Sequence, residues 1–238
     1  MKKRFTRFNS ISLVILLFIC LGLTSFPVQA KQYTIVIDPG CQSIKNTTKD
    51  YIGPGEWKRV SEDLVGAQGV VTKNKEYDIN LLVAQKVKDL LSKDNYQVEL
   101  TRTENAVKMT NSERAMVANA LSADLYISIH ASDPGNKKGI TVVCETEDNP
   151  YNFKNYRNSR LLADTILGSL ADKTNATNYQ VKESDELMGI NWCTVPNAIV
   201  EIGNINNPDD DKKLADESYQ DKVAEGIVSG IESYFSQK

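Results

Sequence analysis

The sequence predicts an α/β fold, a single domain with a central, mostly parallel sheet and helices on both faces. Short runs of apolar and β-branched residues alternate along the chain with longer segments whose apolar residues recur at helical spacing. No internal repeat, low-complexity segment or linker interrupts this alternation. Strands that alternate with helices are typical of a sheet covered on both sides, so one layered domain is expected.

Each element is predicted from its periodicity. Apolar runs predict five strands, over residues 33–37, 97–101, 125–129, 140–144 and 198–200. Amphipathic stripes predict four helices, over residues 79–91, 112–121, 158–173 and 216–235. Asn111 is a candidate N-cap for the second helix, because its side chain can accept a hydrogen bond from a free backbone N–H. Residues 42–74 fit no periodic element, and loops of this length are usually functional or mobile.

Residues 1–30 have the organisation of a secretory signal peptide. Four basic residues precede an apolar stretch over residues 11–23, and small residues end the segment at Ala30. We therefore expect cleavage near Ala30 and a secreted or cell-wall-associated domain over residues 31–238. The alternative is an uncleaved membrane anchor.

The charge of the exported chain argues against nucleic acid as a partner. Removal of four basic and no acidic residues changes the formal net charge from −3 to −7. Binding to a phosphate backbone needs clustered Lys and Arg on a positive surface. We therefore expect no nucleic-acid partner, and contact with a membrane only through the signal peptide before cleavage.

Three apolar runs end in groups that can bind a metal ion. Cys41 follows residues 35–40, His130 follows residues 125–129, and Glu201 follows residues 198–200. In open α/β sheets, ligands bind in the crevice beyond the carboxyl ends of the strands, so these groups are expected to meet there. His130 is the only histidine, and a structural residue that caps a buried strand is the alternative interpretation.

The remaining candidates are a carboxylate and two thiols. Glu76 lies between the long loop and the helix predicted to start near residue 79, where it could simply complement the helix dipole. Residues 31–238 contain an odd number of cysteines, three, so at least one thiol stays unpaired or has another use. Cys144 and Cys193 could form a disulfide, which would leave Cys41 for chemistry.

Five motifs in order give the chain a resemblance to a known family. The sequence resembles the zinc-dependent N-acetylmuramoyl-L-alanine amidases, which cut peptidoglycan, over nearly the whole of residues 31–238. The motifs are IVIDPG at 35–40, EYDINL at 76–81, TR at 101–102 with Arg114, ISIHA at 127–131, and VPNAIVEIG at 195–203 followed by NP at 207–208.

The resemblance implies a role for each candidate. In that family a histidine, a glutamate and a second histidine bind Zn²⁺, and another glutamate acts in catalysis. The glutamate ligand matches Glu76, the second histidine matches His130 and the catalytic glutamate matches Glu201. Cys41 stands where the first histidine is expected. Thiolate also binds zinc, but its charge makes the metal less positive and a weaker activator of water, so a slower enzyme is expected.

The departure at Cys41 leaves two other functions open. One is a thiol hydrolase with Cys41 as nucleophile and His130 as base. The other is a wall-binding or regulatory protein that keeps the groove but has lost the metal. Glu201 could also be a strand-end carboxylate that pairs with Arg102 or Arg114. The segment from Met188 to Trp192 is a candidate substrate-binding lip, and core packing of Trp192 is the equal alternative.

Overall fold

The computed structural model describes residues 32–61, 64–94, 96–131 and 138–238, and Gln32–Lys238 forms one compact unit. Eight strands lie in these ranges: β1 (Thr34–Pro39), β2 (Asp50–Tyr51), β3 (Arg59–Val60), β4 (Gln97–Leu100), β5 (Leu125–His130), β6 (Ile140–Cys144), β7 (Tyr179–Glu183) and β8 (Asn197–Glu201). The described α-helices are α1 (Glu76–Leu91), α2 (Asn111–Ala120), α3 (Tyr156–Thr174), α4 (Met188–Asn191), α5 (Pro208–Leu214) and α6 (Glu217–Ser236). The expected signal peptide, residues 1–30, lies outside the described residues.

Six strands form the central sheet in the order β4-β1-β5-β8-β6-β7. The first four strands of this order are parallel, β6 runs antiparallel to β8, and β7 is parallel to β6. The carboxyl ends of β1, β5 and β8 therefore meet at one edge of the sheet. The predicted α/β class with a mostly parallel sheet is confirmed.

Helices cover both faces of this sheet, as expected. On one face α1, α3 and α6 bury the larger apolar cluster, which includes Val83, Leu162 and Ile227. On the other face α2 contributes Ala115 and Ala118 to a smaller cluster. Because both faces are covered, the inner strands are buried throughout, and this is why they read as continuous apolar runs. No helix among the described residues is long and apolar enough to cross a membrane.

Some element boundaries differ from the sequence-based expectation. Helix α1 begins at Glu76 instead of residue 79. The N-cap of α2 is Thr110 and not Asn111, because the Thr110 side chain accepts from the Glu113 N–H in a capping box. Strand β7 and helix α5 were not predicted, since the first is a polar edge strand and the second has five charged residues among its seven.

The disulfide that Cys144 and Cys193 could have formed is not present. All three cysteines of the described chain are free thiols. Cys144 lies in the larger apolar cluster, and Cys193 lies in the smaller cluster with Val36 and Tyr126. The sheet separates the two thiols, which linear sequence cannot reveal.

Candidate metal centre

Three potential ligands converge at the carboxyl ends of β1 and β5. The Cys41 Sγ lies 3.8 Å from His130 Nδ1, and the same nitrogen lies 3.3 Å from Glu76 Oε1. One donor atom from each of the three residues falls within 4.8 Å of the others. The structure therefore brings together the three residues that the sequence singled out as metal ligands.

Two of the three separations between the donor atoms fit a zinc ion. Two ligands in a tetrahedral zinc site, with bonds of ~2.0–2.3 Å, are separated by roughly 3.3–3.6 Å. The nitrogen–oxygen and sulfur–nitrogen distances of 3.3 and 3.8 Å lie at or near this range. Thiolate, imidazole and carboxylate are also the three side-chain donors that zinc prefers. The residues present therefore suit this metal.

The turn after β1 holds Cys41 in an uncommon backbone conformation. Cys41 has a φ of 62°, in the left-handed region that disfavours most side chains. The preceding Gly40 donates its N–H to the Ile129 carbonyl at 2.9 Å. A Cβ atom at Gly40 would overlap the His130 ring, so glycine is needed for the imidazole to lie against this turn.

Two buried arginines brace the same turn. Arg114, fully buried, pairs with Asp38 at 2.9 Å and donates to the Cys41 carbonyl at 3.1 Å. Arg102 donates to the Gly40 carbonyl, also at 3.1 Å. Burial by itself raises the pKa of Asp38, but the charge of Arg114 and hydrogen bonds outweigh it and lower the pKa to about 2. Both guanidinium groups thus hydrogen-bond to the turn that carries Cys41, and Arg114 forms its ion pair with Asp38.

Glu76 is the first residue of α1 and is completely buried. Its Oε2 accepts from the Ala67 N–H at 2.8 Å, while Oε1 accepts from the Ala131 N–H at 3.2 Å and faces His130. Gly66, with a φ of 72°, packs so closely that an added Cβ would lie 2.6 Å from Glu76 Oε2 and 2.7 Å from Cys41 Sγ. Glu76 therefore does more than complement the dipole of α1, because its carboxylate also contacts His130 and the loop before the helix.

The loop that leads to Glu76 is held by Asp211 of α5. The buried Asp211 carboxylate accepts from the Val71 N–H at 2.6 Å and the Thr72 N–H at 2.9 Å. Sequence reasoning identified neither Gly66 nor Asp211. Gly66 stands in an aperiodic loop, and Asp211 is the last of three consecutive aspartates, so neither carries a distinguishing local signal.

Glu201 lies beside His130 but outside the three-ligand cluster. The two residues are paired in register between β8 and β5, and both line a cavity of about 90 Å³. The other lining residues are Asp38, Asn111, Tyr126, Ser128, Leu187, Gly189 and Ile199. A half-buried carboxylate that lines this cavity can exchange protons with a molecule bound there.

The protonation of the site does not favour a thiol nucleophile. Burial, and then the charge of Glu76, raise the pKa of the Cys41 thiol. Burial lowers the pKa of His130, but contact with Cys41 and the nearby carboxylates of Glu76 and Glu201 outweigh it and raise that pKa well above its usual value. A reactive cysteine instead has a lowered pKa and partial exposure, whereas Cys41 is 5% exposed.

The segment predicted as a substrate lip has a different arrangement. Met188–Asn191 form the short helix α4, in which every residue is buried, and Gly189 alone of these lines the cavity. Trp192 follows as a partly buried residue that packs against the smaller apolar cluster and donates its indole N–H to the Tyr51 carbonyl at 2.9 Å. Trp192 is thus an anchor for the long loop and not an exposed aromatic face.

Comparison with known proteins agrees with this geometry. A family model described as N-acetylmuramoyl-L-alanine amidase matches residues 35–233. The uncharacterized protein YqiI of Bacillus subtilis is 35% identical over 162 residues, which cover 68% of this chain and 75% of that protein. A probable cell wall amidase, LytH, of Staphylococcus epidermidis is 27% identical over 90% of this chain, which spans 62% of the length of LytH.

A solved structure extends the agreement to the fold. The N-acetylmuramoyl-L-alanine amidase from Clostridium difficile 630 superposes with a TM-score of 0.71 at 28% identity, covering 88% of this chain and all of that one. These comparisons confirm the predicted family and fold and support the predicted enzyme class. The chain belongs to the N-acetylmuramoyl-L-alanine amidase family.

Proposed function

We propose that this protein is a zinc-dependent amidase that hydrolyses the bond between N-acetylmuramic acid and L-alanine in peptidoglycan. Cys41, Glu76 and His130 hold the zinc, and Glu201 is the catalytic acid and base. The observation that carries the proposal is the spacing of the three donor atoms, within 4.8 Å of one another, at the strand edge where Glu201 pairs with His130. The family match supports the substrate.

Each residue has a distinct part in this reaction. Zinc, when bound, supplies a Lewis acid that polarises the amide carbonyl and makes water more acidic. The Glu201 carboxylate accepts a proton from the attacking water and delivers it to the departing amine of L-alanine. Asp38 and Arg114 hold the turn that carries Cys41, so that the ligand arrangement is set before substrate binds.

Cys41 is expected to slow this reaction. A zinc ion with one carboxylate and two neutral imidazoles carries a formal charge of about +1, and replacement of one imidazole by thiolate brings the charge to about zero. A less positive metal lowers the pKa of water less and stabilises developing negative charge less. The enzyme is therefore proposed to be less active than it would be with histidine at position 41.

Metal content and hydrolysis test the proposal together. Freshly purified protein should contain one zinc per chain, release the amino group of L-alanine from muropeptides, lose this activity in EDTA and regain it with zinc. Activity that persists in EDTA would favour the thiol hydrolase instead. Protein that neither contains nor binds zinc would contradict the proposal and favour a wall-binding role without catalysis.

Two substitutions separate the roles of the residues. Cys41→His should retain zinc and preserve or raise the turnover of muropeptides, since it restores a neutral ligand; a thiol hydrolase would lose all activity. Glu201→Gln should retain zinc and lose turnover. Cys193→Ser is a matched control, because Cys193 is also buried and, among the described residues, its thiol donates to the nearby Val195 carbonyl. Loss of zinc in Glu201→Gln would contradict its proposed role.

The proposed location is the cell wall or the medium, after export by residues 1–30. The amino-terminal sequence of the exported protein tests this, and it should begin near residue 31. A product that keeps residues 1–30 and sediments with membranes would favour the alternative of an uncleaved anchor.

A further inference from the structure

The long loop before α1 contains a small hairpin that is attached to α2 and to the α4 segment, each of which contributes a residue to the cavity. Strands β2 and β3 pair antiparallel, with Asp50 opposite Val60 and Tyr51 opposite Arg59. We call residues 50–60 the rim hairpin. Three attachments fix it to elements whose neighbouring residues line the cavity, so its position relative to the cavity is set by the fold.

Each attachment joins the rim hairpin to α2 or to the α4 segment. The Ser112 hydroxyl donates to the Asp50 carboxylate, and Ser112 is the neighbour of the cavity residue Asn111. The Asn191 side chain donates to the Ile52 carbonyl at 3.0 Å. The Trp192 indole donates to the Tyr51 carbonyl at 2.9 Å.

This fixed hairpin exposes a single large aromatic side chain. Trp57 is 92% exposed, whereas the other tryptophan, Trp192, is partly buried. Exposure of an indole leaves apolar surface in water, and contact with a ligand would remove that surface from water. An exposed aromatic on a fixed support is typical of a contact surface for a ligand.

The residues around Trp57 indicate which class of ligand suits this surface. Its neighbours in the hairpin are glycine, proline and charged residues, and Gly55 has no described atom within 4 Å of the position of a Cβ. Arg59 lies over the Tyr51 ring at 4.5 Å and donates to its hydroxyl at 2.7 Å. A stable protein interface needs a broad patch with several buried apolar side chains, whereas one aromatic among polar groups suits a sugar ring.

We propose that the rim hairpin binds the glycan strand of peptidoglycan, with Trp57 stacked on a sugar ring next to the one whose stem peptide enters the cavity. The inference rests on the proposed function, because that function places the glycan at the cavity beside the hairpin. Lys58 and Arg59 directly follow Trp57 and carry positive charge, which suits a polymer whose stem peptides carry carboxylates, while Glu56 precedes Trp57. Trp57 thereby selects polymeric wall over isolated peptide.

The test uses a ligand that cannot be hydrolysed. A tetrasaccharide of alternating N-acetylglucosamine and N-acetylmuramic acid, free of stem peptides, is titrated into the protein and followed by tryptophan fluorescence and calorimetry. The wild type should bind it with a saturable change in emission. Trp57→Ala should weaken the affinity by about tenfold or more and abolish the emission change, while Trp57→Tyr should restore most of the binding, since one stacked ring is kept.

A matched control removes an exposed apolar residue at a distance. Leu121 is 43% exposed at the end of α2 opposite to the cavity residue Asn111, so Leu121→Ala should bind the tetrasaccharide like the wild type. Equal affinities of the wild type and Trp57→Ala would overturn the proposal. A wild-type dimer that dissociates in Trp57→Ala, as measured by sedimentation equilibrium, would also overturn the proposal, because Trp57 would then serve self-association.

The outcome is independent of the amidase activity. Binding that depends on Trp57 in a protein without turnover would support the glycan site and contradict the proposed reaction. The converse outcome is that Trp57→Ala turns over both polymeric wall and a single N-acetylmuramoyl-peptide as fast as the wild type. This outcome would support the reaction and contradict the glycan site. If both proposals hold, Trp57→Ala should raise KM for polymeric wall and leave the single unit unaffected.

Discussion

Two buried carboxyl groups at opposite ends of the sheet have opposite protonation behaviour. Asp38, near the end of β1 that carries the candidate metal centre, has a pKa lowered to about 2. Glu145 directly follows β6, which runs the other way, and its pKa is raised to about 7. Both residues are almost completely removed from water. Burial is therefore common to both and does not explain the difference.

The groups around Asp38 and Glu145 explain why their pKa values differ. Asp38 pairs with Arg114 and accepts from the hydroxyls of Ser128 and Tyr126. Among the described residues no cation offsets the burial of Glu145. The Asn152 amide donates a weak hydrogen bond of 3.4 Å to one oxygen, and hydrogen bonds from Ser159 and from the Glu145 backbone only partly oppose the effect of burial. The difference teaches that burial alone does not set the charge of an acid: beneath the candidate ligands, a buried cation and several hydrogen bonds keep Asp38 ionised.

The largest expected effect is removal of the charged carboxylate beside Arg114. Asp38→Ala should lower the free energy of unfolding by about 3–5 kcal/mol, because it leaves a fully buried guanidinium without its counter-ion. Denaturation in urea measures the change. Asp209→Ala is the matched control, since Asp209 pairs with Lys138 on the exposed surface and should cost less than about 1 kcal/mol. Similar costs for the two variants would contradict the role given to Arg114.

The next effect concerns the other carboxyl group. Between the ordinary pKa of 4.5 and the folded value of about 7, folded Glu145 keeps a proton that the unfolded chain releases, so stability falls as the pH rises through this window. Glu145→Gln mimics the protonated form. It should match the wild type below the window and be more stable by about 2–3 kcal/mol above it.

Unfolding of both proteins across this pH range isolates the contribution of Glu145. Two other acids of this region, Asp185 and Glu183, act on Glu145 through their charge and are present in both proteins, so the comparison changes only the Glu145 carboxyl group. A difference between the two proteins that does not change with pH would show that Glu145 is already ionised in the folded state.

A smaller effect is expected from the glycine that touches the candidate ligands. Gly66→Ala should cost about 1–2 kcal/mol of stability, since its φ of 72° disfavours a side chain, and should weaken zinc binding about tenfold or more. Gly55→Ala, at a φ of 82° with open space around it, should show backbone strain alone and keep its zinc affinity. Competition with a chelator measures both. Equal zinc affinities would show that the contact at Gly66 does not shape the site.

The smallest effect is expected from the two thiols away from the candidate centre. Burial raises the pKa of both Cys144 and Cys193 to about 12, so both remain protonated and unreactive. A reducing agent should not shift the unfolding midpoint, and thiol labelling in denaturant without reductant should modify both residues. A midpoint that falls on reduction would indicate a disulfide and contradict the free thiols of the structure.

The sequence by itself determined the class of fold and the candidate ligands. Apolar periodicity is a local property, and each strand that it identified, including those that end near Cys41, His130 and Glu201, is present in the sheet. Because parallel strands of one sheet end at one edge, the meeting of these residues followed from the order of the elements.

Only the tertiary structure decided what surrounds them. Asp38 and Arg114 are 76 residues apart, and Asp211 holds Val71 across 140 residues, distances over which periodicity carries no information. The same holds for the separation of Cys144 from Cys193, for Trp192 as an anchor and for the exposure of Trp57. Protonation states, close contacts and accessible surface depend on which residues are neighbours in space. Residues distant in the chain become neighbours only when the chain has folded.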